Sequence, residues 1–190
     1  MRQLFVFLVI VIFYHQTQAQ TMKPFNYEKQ WKSVEDLIQK GLNQSAEKEI
    51  KVILGNARQE KNTEEYIRAL CSYRVSLRDR EEESRLMDIK FFHEELKTAS
   101  FPAKQILYSM LAELYWSYYN EHRYKILDLT SVATSSAVEM IPDPQADITT
   151  WTANQFYQAT YACYQASLKE KSSSQQFALG KLQRILDPGQ

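Results

Sequence analysis

The chain has 190 residues with 23 basic and 23 acidic side chains, so its formal net charge at pH 7 is zero. This balance gives no electrostatic basis for binding nucleic acid, which requires an excess of Lys and Arg on one surface, and we predict no nucleic-acid partner. A chain of this length suits one domain, in which about 70% of the unfolded chain's surface is buried on folding.

The N-terminal segment, MRQLFVFLVIVIFYHQTQAQ, has the pattern of a secretory signal peptide. Arg2 supplies a positive charge, the run 4–14 is entirely apolar, and Thr17-Gln18-Ala19 places small residues where signal peptidase cleaves. The apolar run is shorter than the roughly 20 residues that span a bilayer, although an N-terminal membrane anchor is the alternative. We therefore predict a signal peptide at 1–19, export to the periplasm or cell envelope, and membrane contact only during export.

The remaining chain, 20–190, is predicted to be one all-helical, TPR-like domain. Apolar residues recur at helical spacing nearly throughout, strand-like alternation is absent, and the sequence has only 4 Gly and 5 Pro. The apolar stripes of the first four predicted helices are, in chain order, Tyr27, Trp31, Val34 and Ile38; Ala46, Ile50, Ile53, Leu54 and Ala57; Tyr66, Leu70, Tyr73 and Leu77; and Leu86, Ile89, Phe92 and Leu96.

Turn and capping residues predict where the first three helices begin and end. Gly41 is placed to end the first helix, because glycine readily adopts the left-handed conformation that follows a helix. Asn43 or Ser45 is predicted to cap the second helix. Asn62 is predicted to cap the third, with Glu65 reaching back to the cap as in a capping box.

The second half of the chain predicts three more helix starts and one interruption. The acidic run 81–83 favours the start of a fourth helix, because negative charge stabilises the positive end of the helix dipole. Pro102 suits the first turn of a fifth helix. The periodicity lapses from about 130 to 150, which predicts a long loop. A sixth helix follows the loop, with a predicted core face of Phe156, Ala159, Cys163 and Ala166. A seventh helix is predicted at about 173–186.

Predicted helix starts lie about 20 residues apart, which is the size class of helical-hairpin repeats. No repeat consensus is visible at the level of individual residues. Each hairpin would bury its apolar stripe against the next hairpin. The predicted fold class is therefore all-α, with stacked antiparallel helical hairpins arranged as a TPR-like solenoid or a compact bundle.

Candidate catalytic and metal-binding residues are few. His93 has no second histidine four residues later, so the zinc-protease pattern fails, and neither His93 nor His122 belongs to a set of three or four ligands. There is no Gly-rich phosphate loop and no serine in a nucleophile elbow. We predict no enzymatic activity, no cofactor and no metal. Carboxylates are interpreted as charges on helix faces, such as Glu47 paired with Lys51.

Two cysteines, Cys71 and Cys163, both lie among the apolar positions of predicted helices. In an oxidising compartment they could form a disulfide. Free cysteine is, however, among the most buried residue types. We therefore favour two buried free thiols.

The stretch AELYWSYYNEHRYKIL at 112–127 concentrates aromatic residues in the fifth helix. At 100° per residue its apolar positions cover more than half of the circumference, which predicts a core helix packed by neighbours on two sides. The alternative is a groove for a peptide or sugar, because Tyr and Trp combine a large rigid ring with a polar tip. We predict mainly core packing and keep Trp116, Tyr119 and Tyr124 as candidate partner-contact residues.

Three segments together resemble the N-terminal helical region of large exported alpha-2-macroglobulin-like proteins of Bacteroidetes. They are YEKQWKSVEDLIQKGLNQSAEKEIKVILGNARQEKN (27–62), ILYSMLAELYWSYYNEHRYKILDLT (106–130) and DITTW (147–151). In that family the helical region precedes β-sandwich macroglobulin domains, and the whole protein is thought to trap or inhibit proteases. The resemblance implies a non-enzymatic interaction region whose partner is a protein: the downstream macroglobulin domains, a protease or an envelope protein.

The sequence departs from the family pattern at the parts that carry inhibition. It contains no macroglobulin domains and no bait region, and Cys71-Ser72-Tyr73-Arg74 and Cys163-Tyr164-Gln165-Ala166 do not match the Cys-x-Glu-Gln thioester motif. The inhibitory mechanism is therefore not carried over to any residue. We expect either a fragment of such a protein or a stand-alone relative of its helical region. The alternative function is a stand-alone periplasmic TPR-like adaptor that binds a peptide or an envelope protein.

Overall fold

The computed structural model describes residues 24–76, 82–130 and 147–176. These residues form α-helices and one short 3-10 helix, with no strand among them, so the predicted all-α class is confirmed. The predicted signal peptide, most of the predicted loop and the end of the predicted seventh helix lie outside the described residues. The elements are α1 (Tyr27–Gln39), α2 (Asn43–Gln59), α3 (Thr63–Ser76), α4 (Glu82–Thr98), α5 (Ala103–Thr130), a 3-10 helix (Ile148–Thr150), α6 (Ala153–Ser167) and α7 (Lys171–Gln176).

Helices that are neighbours in sequence are mostly neighbours in space. α1 packs on α2, α2 on α3, and α4 on α5, each pair being joined by a short turn as expected for antiparallel helices. α5 also packs on α3 and makes its most extensive contact with α6. The arrangement is compatible with the predicted stack of helical hairpins, and it places α5 in the middle, with neighbours on two sides.

Residues with left-handed backbone end both α1 and α2. After α1, Gly41 has φ of 71°, and its N–H donates to the Ile38 carbonyl at 2.9 Å. The Leu42 N–H donates to the Leu37 carbonyl at 2.9 Å, which completes a Schellman motif and confirms that Gly41 ends the helix. The same pair of backbone bonds closes α2, where the left-handed position is occupied by Lys61 with φ of 55°.

We expect Lys61→Gly to raise the free energy of unfolding by about 1 kcal/mol, because glycine adopts the left-handed conformation without a Cβ clash. Gly41→Ala is the opposite change and is expected to lower it by about the same amount. Nothing lies within 4 Å of the Cβ that the second substitution would add, so its effect isolates backbone strain. Urea unfolding of both variants measures the pair. Two variants with the stability of the parent chain would contradict this account.

The predicted cap of α2 is wrong, whereas the predicted cap of α3 is confirmed. α2 begins at Asn43 after Leu42, and no side chain caps it, because the turn at Gly41 leaves Leu42 in the cap position. Asn62 does cap α3, since its Oδ1 accepts from the Glu65 N–H at 3.2 Å. The Glu65 carboxylate, however, is buried and accepts a 2.6 Å hydrogen bond from Trp31 Nε1.

Most of the predicted apolar stripes form the core. All five stripe residues of α2 are buried, and so are the four predicted for α6. α6 begins with the capping box formed by Thr152 and Gln155. α5 begins directly after Pro102.

Ile38 was predicted incorrectly, because it is 52% exposed and Leu37 packs against the core in its place. α1 packs mainly on α2, and its Trp31 also contacts Glu65 and Arg68 of α3.

Both cysteines are free, but only Cys163 is buried as predicted. Cys163 is fully buried, and burial raises its pKa to about 12. Cys71 is partly buried, and burial also raises its pKa.

In the described ranges, no helix combines the length and the apolar character that crossing a membrane would take.

We expect the free energy of unfolding to fall as pH rises above 9, because the folded thiols keep protons that the unfolded thiols release. The folded state then binds more protons than the unfolded state, so the slope with pH is negative, at about 1.4 kcal/mol per pH unit for a fully buried thiol. Urea unfolding between pH 8.5 and 10 measures this slope, and Cys163→Ala should make it shallower. An unchanged slope in that variant would contradict the assignment to Cys163.

Candidate functional site

α6 carries no charged residue along its sequence ANQFYQATYACYQAS. Its inner face packs on α5. A second stripe, at spacings i, i+4, i+7 and i+11, points away from the core. Its residues are Tyr157, Tyr161 and Tyr164, which are exposed by 46%, 60% and 44%, and Leu168 just after the helix, which is exposed by 68%. A helix face in contact with water normally carries charged or polar side chains, so an exposed aromatic stripe needs an explanation.

Trp116 of α5 extends this stripe across the seam between the two helices. It is 40% exposed, its ring stacks on Tyr119 with centroids 5.5 Å apart, and it lies 5.7 Å from the Tyr157 ring. Tyr157 Oη donates to Tyr119 Oη at 3.2 Å. On α6, Gln165 Nε2 donates to Tyr161 Oη at 2.7 Å. We call Trp116, Tyr157, Tyr161, Tyr164 and Leu168 the aromatic surface.

The structure separates the three predicted contact residues. Trp116 and Tyr119 lie side by side, although Tyr119 is only 8% exposed and mainly supports its neighbours. Tyr124 is 72% exposed, and its ring and hydroxyl contact Arg123, with Arg123 Nη2 donating to Tyr124 Oη at 2.9 Å. Tyr124 makes no described ring contact with the other two residues.

The exposed tyrosines of α6 were missed by the sequence analysis. The core stripe of that helix satisfies helical periodicity by itself. A second apolar stripe at Tyr157, Tyr161, Tyr164 and Leu168, in a helix without charges, was visible in the sequence and is the signal that could have found them.

The remaining aromatic residues of α5 are core, as predicted. Tyr115 is 1% exposed and Tyr118 is 3% exposed, and the Tyr118 ring stacks on Phe156 of α6 with centroids 5.6 Å apart. Tyr115 and His93 of α4 share a 2.5 Å hydrogen bond, so this buried histidine links α4 to α5. The aromatic helix is thus packed between α4 on one side and α6 on the other.

Buried carboxylates on α4 tie that helix to α2 and α3. Glu95 is 5% exposed, pairs with Arg58, and accepts a 2.7 Å hydrogen bond from Tyr66 Oη. Asp88 is 1% exposed and accepts from Tyr73 Oη at 3.1 Å. Burial, together with these carboxylates, raises the pKa of both tyrosines. The interpretation of carboxylates as helix-face charge was therefore wrong for Glu95 and Asp88, although Glu47 does pair with Lys51 at 3.1 Å.

The titratable groups of the interior are engaged in packing. His122 lies against Tyr118 with ring centroids 4.4 Å apart. Across residues 24–76, 82–130 and 147–176, no three His, Cys, Asp or Glu side chains are grouped closely enough to hold a metal ion. The aromatic surface is the candidate functional site, because it exposes large aromatic side chains on a helix without charged residues.

Comparison of the chain with protein-family models, with curated proteins and with solved structures finds no match in any of the three. The resemblance to alpha-2-macroglobulin-like proteins rests on the quoted sequence segments alone and remains a hypothesis.

Proposed function

We propose that this chain is an exported, non-enzymatic helical module that binds a protein partner through the aromatic surface. The proposal rests on the exposed stripe of α6, a helix without charged residues, and on Trp116 of α5 beside it. Export is supported by the signal-peptide pattern of residues 1–19.

The chemistry of the surface suits a protein interface. Interface cores are depleted of charged residues and enriched in Tyr and Trp, which dominate binding energy because large rigid rings lose little entropy on contact. The packing of Tyr157 between Trp116 and Tyr119, with centroids 5.7 and 5.1 Å away, already orders that ring before a partner arrives. Each tyrosine also offers a hydroxyl for a hydrogen bond at the rim.

The sequence resemblance suggests a more specific form of the proposal. In that form the module occupies the N-terminal position of an alpha-2-macroglobulin-like protein, and its partner is the macroglobulin body, a protease or an envelope protein. The stacking of α1 to α5 as successive hairpins equally supports the second candidate, a periplasmic TPR-like adaptor. The reading frame that follows codon 190 distinguishes the two, since an open frame encoding β-rich domains supports the first.

Site-specific photo-crosslinking tests the proposed binding surface. Benzoylphenylalanine in place of Tyr161 is expected to give a discrete crosslinked protein in cells that produce the chain, because this side chain is 60% exposed at the middle of the stripe. The matched control carries the same crosslinker in place of Lys48, an exposed residue of α2. Identical products from both positions, or none from either Tyr161 or Tyr164, would exclude the aromatic surface as the contact.

A further inference from the structure

A cavity of about 410 Å³ lies between the turn that joins α2 to α3 and the turn that joins α4 to α5. Its volume is in the range of small-molecule sites, about 300–1,000 Å³. None of its lining residues belongs to α6 or to the aromatic surface. The cavity is therefore a separate feature, and the proposed protein contact does not account for it.

The charges that line the cavity are all positive. Among the described residues, Arg58 and Lys61 are the charged ones that line it, whereas the whole chain has equal numbers of acidic and basic side chains. Arg58 is held by its ion pair with Glu95, which is buried and also accepts from Tyr66 Oη. Because Glu95 balances one of the two cations, the exposed ammonium of Lys61 supplies the net positive charge.

The other lining groups divide into hydrogen-bonding and apolar sets. Thr63 and Ser100 also line the cavity, and a side-chain hydroxyl can donate to an oxygen anion. Apolar wall is contributed by Phe101 and by the methyl groups of neighbouring alanines. A ligand that suits this lining has an anionic end and a small apolar body.

We propose that this cavity binds a small organic anion, in which a carboxylate or phosphate lies against Lys61 and Arg58 and an apolar group lies against Phe101. Charge-assisted hydrogen bonds to such oxygens are about twice as strong as neutral ones, so the anionic end determines recognition. Carboxylate and phosphate share this chemistry, and separate probes distinguish them.

Titration calorimetry of the purified full chain with benzoate, phenyl phosphate and benzamide tests the proposal. Benzamide is the neutral counterpart of benzoate, and we expect it to bind at least about 10-fold more weakly than the better anion. Lys61→Gly is expected to weaken anion binding about 5-fold, the effect of losing an exposed ion pair. This variant keeps the fold, because glycine suits the left-handed backbone at this position. Lys48→Gln, an exposed lysine outside the cavity lining, is the matched control and should leave binding unchanged.

A variant that fills the cavity locates the binding. Ala99→Phe places a ring among the lining residues and is expected to abolish binding of both anions. Stronger binding of benzoate assigns the site to carboxylates, and stronger binding of phenyl phosphate assigns it to phosphate esters. Absence of binding by both anions, equal binding of benzamide, or binding that Lys61→Gly leaves unchanged would overturn the proposal. Crosslinking at Tyr161 is independent of all these outcomes.

Discussion

Phe156→Ala is expected to lower the free energy of unfolding by about 3–5 kcal/mol, which is typical for removing a buried aromatic ring. Phe156 is fully buried, and its ring lies 5.6 Å from Tyr118, 6.1 Å from Tyr119 and 5.2 Å from Trp151. The ring therefore joins α5, α6 and the segment that precedes α6. A cavity left at this point removes contacts from all three, so the loss includes more than the transfer of one side chain out of water.

Leu168→Ala is the matched control for this prediction, because Leu168 is an apolar residue just after α6 that is 68% exposed. We expect this change to alter stability by no more than about 0.5 kcal/mol. Equilibrium urea unfolding gives both values. A Phe156→Ala variant as stable as the Leu168→Ala variant would show that α6 does not seal the core on α5.

Glu95→Ala is expected to cost about 1–3 kcal/mol, because the buried Tyr66 hydroxyl loses its acceptor, whereas the half-exposed Arg58 can be solvated. Glu95 accepts from Arg58 of α2 and from Tyr66 of α3, and it is 5% exposed. Without the carboxylate, a buried tyrosine hydroxyl loses its acceptor and the guanidinium loses its counter-charge. The link from α4 to α2 and α3 would weaken most.

Glu94→Ala provides the control at the adjacent position. Glu94 pairs with Lys97 at 2.6 Å, but both side chains are more than half exposed, so the pair is worth about 0–1 kcal/mol. Thermal or urea unfolding of the two variants compares a buried and an exposed carboxylate in the same helix. Equal losses would contradict the claim that Glu95 connects the helices.

The periodicity of apolar residues predicted the fold class and the core faces of the helices that are packed on more than one side. Leu107 and Leu111 of α5 and Ile53 of α2 are fully buried, because a helix between two neighbours must bury every apolar position of a broad stripe. Ile38 failed because it lies in the last turn of α1, where Leu37 packs against the core in its place. Periodicity states which face is apolar, and it does not state how many helices cover that face.

Buried polar residues were not predictable from the same pattern. Glu65, Asp88 and Glu95 look like surface charges in the sequence, yet each accepts a hydrogen bond from a Trp or Tyr of another helix. Such pairs depend on long-range register, which a single sequence does not reveal. Trp116 was predicted as a contact residue from its position at the edge of the apolar arc, and the structure adds the tyrosines of α6 beside it.

The central claim is that the tyrosines divide into a packed set and a set that is free to bind a protein. Residue-resolved tyrosine labelling, read by mass spectrometry with and without the crosslinked partner, tests this division directly. We expect Tyr161 and Tyr164 to be labelled in the isolated chain and protected in the complex, while Tyr115, at 1% exposure, is unlabelled in both. Protection of Tyr161 and Tyr164 in the isolated chain, or their continued labelling in the complex, would contradict the account.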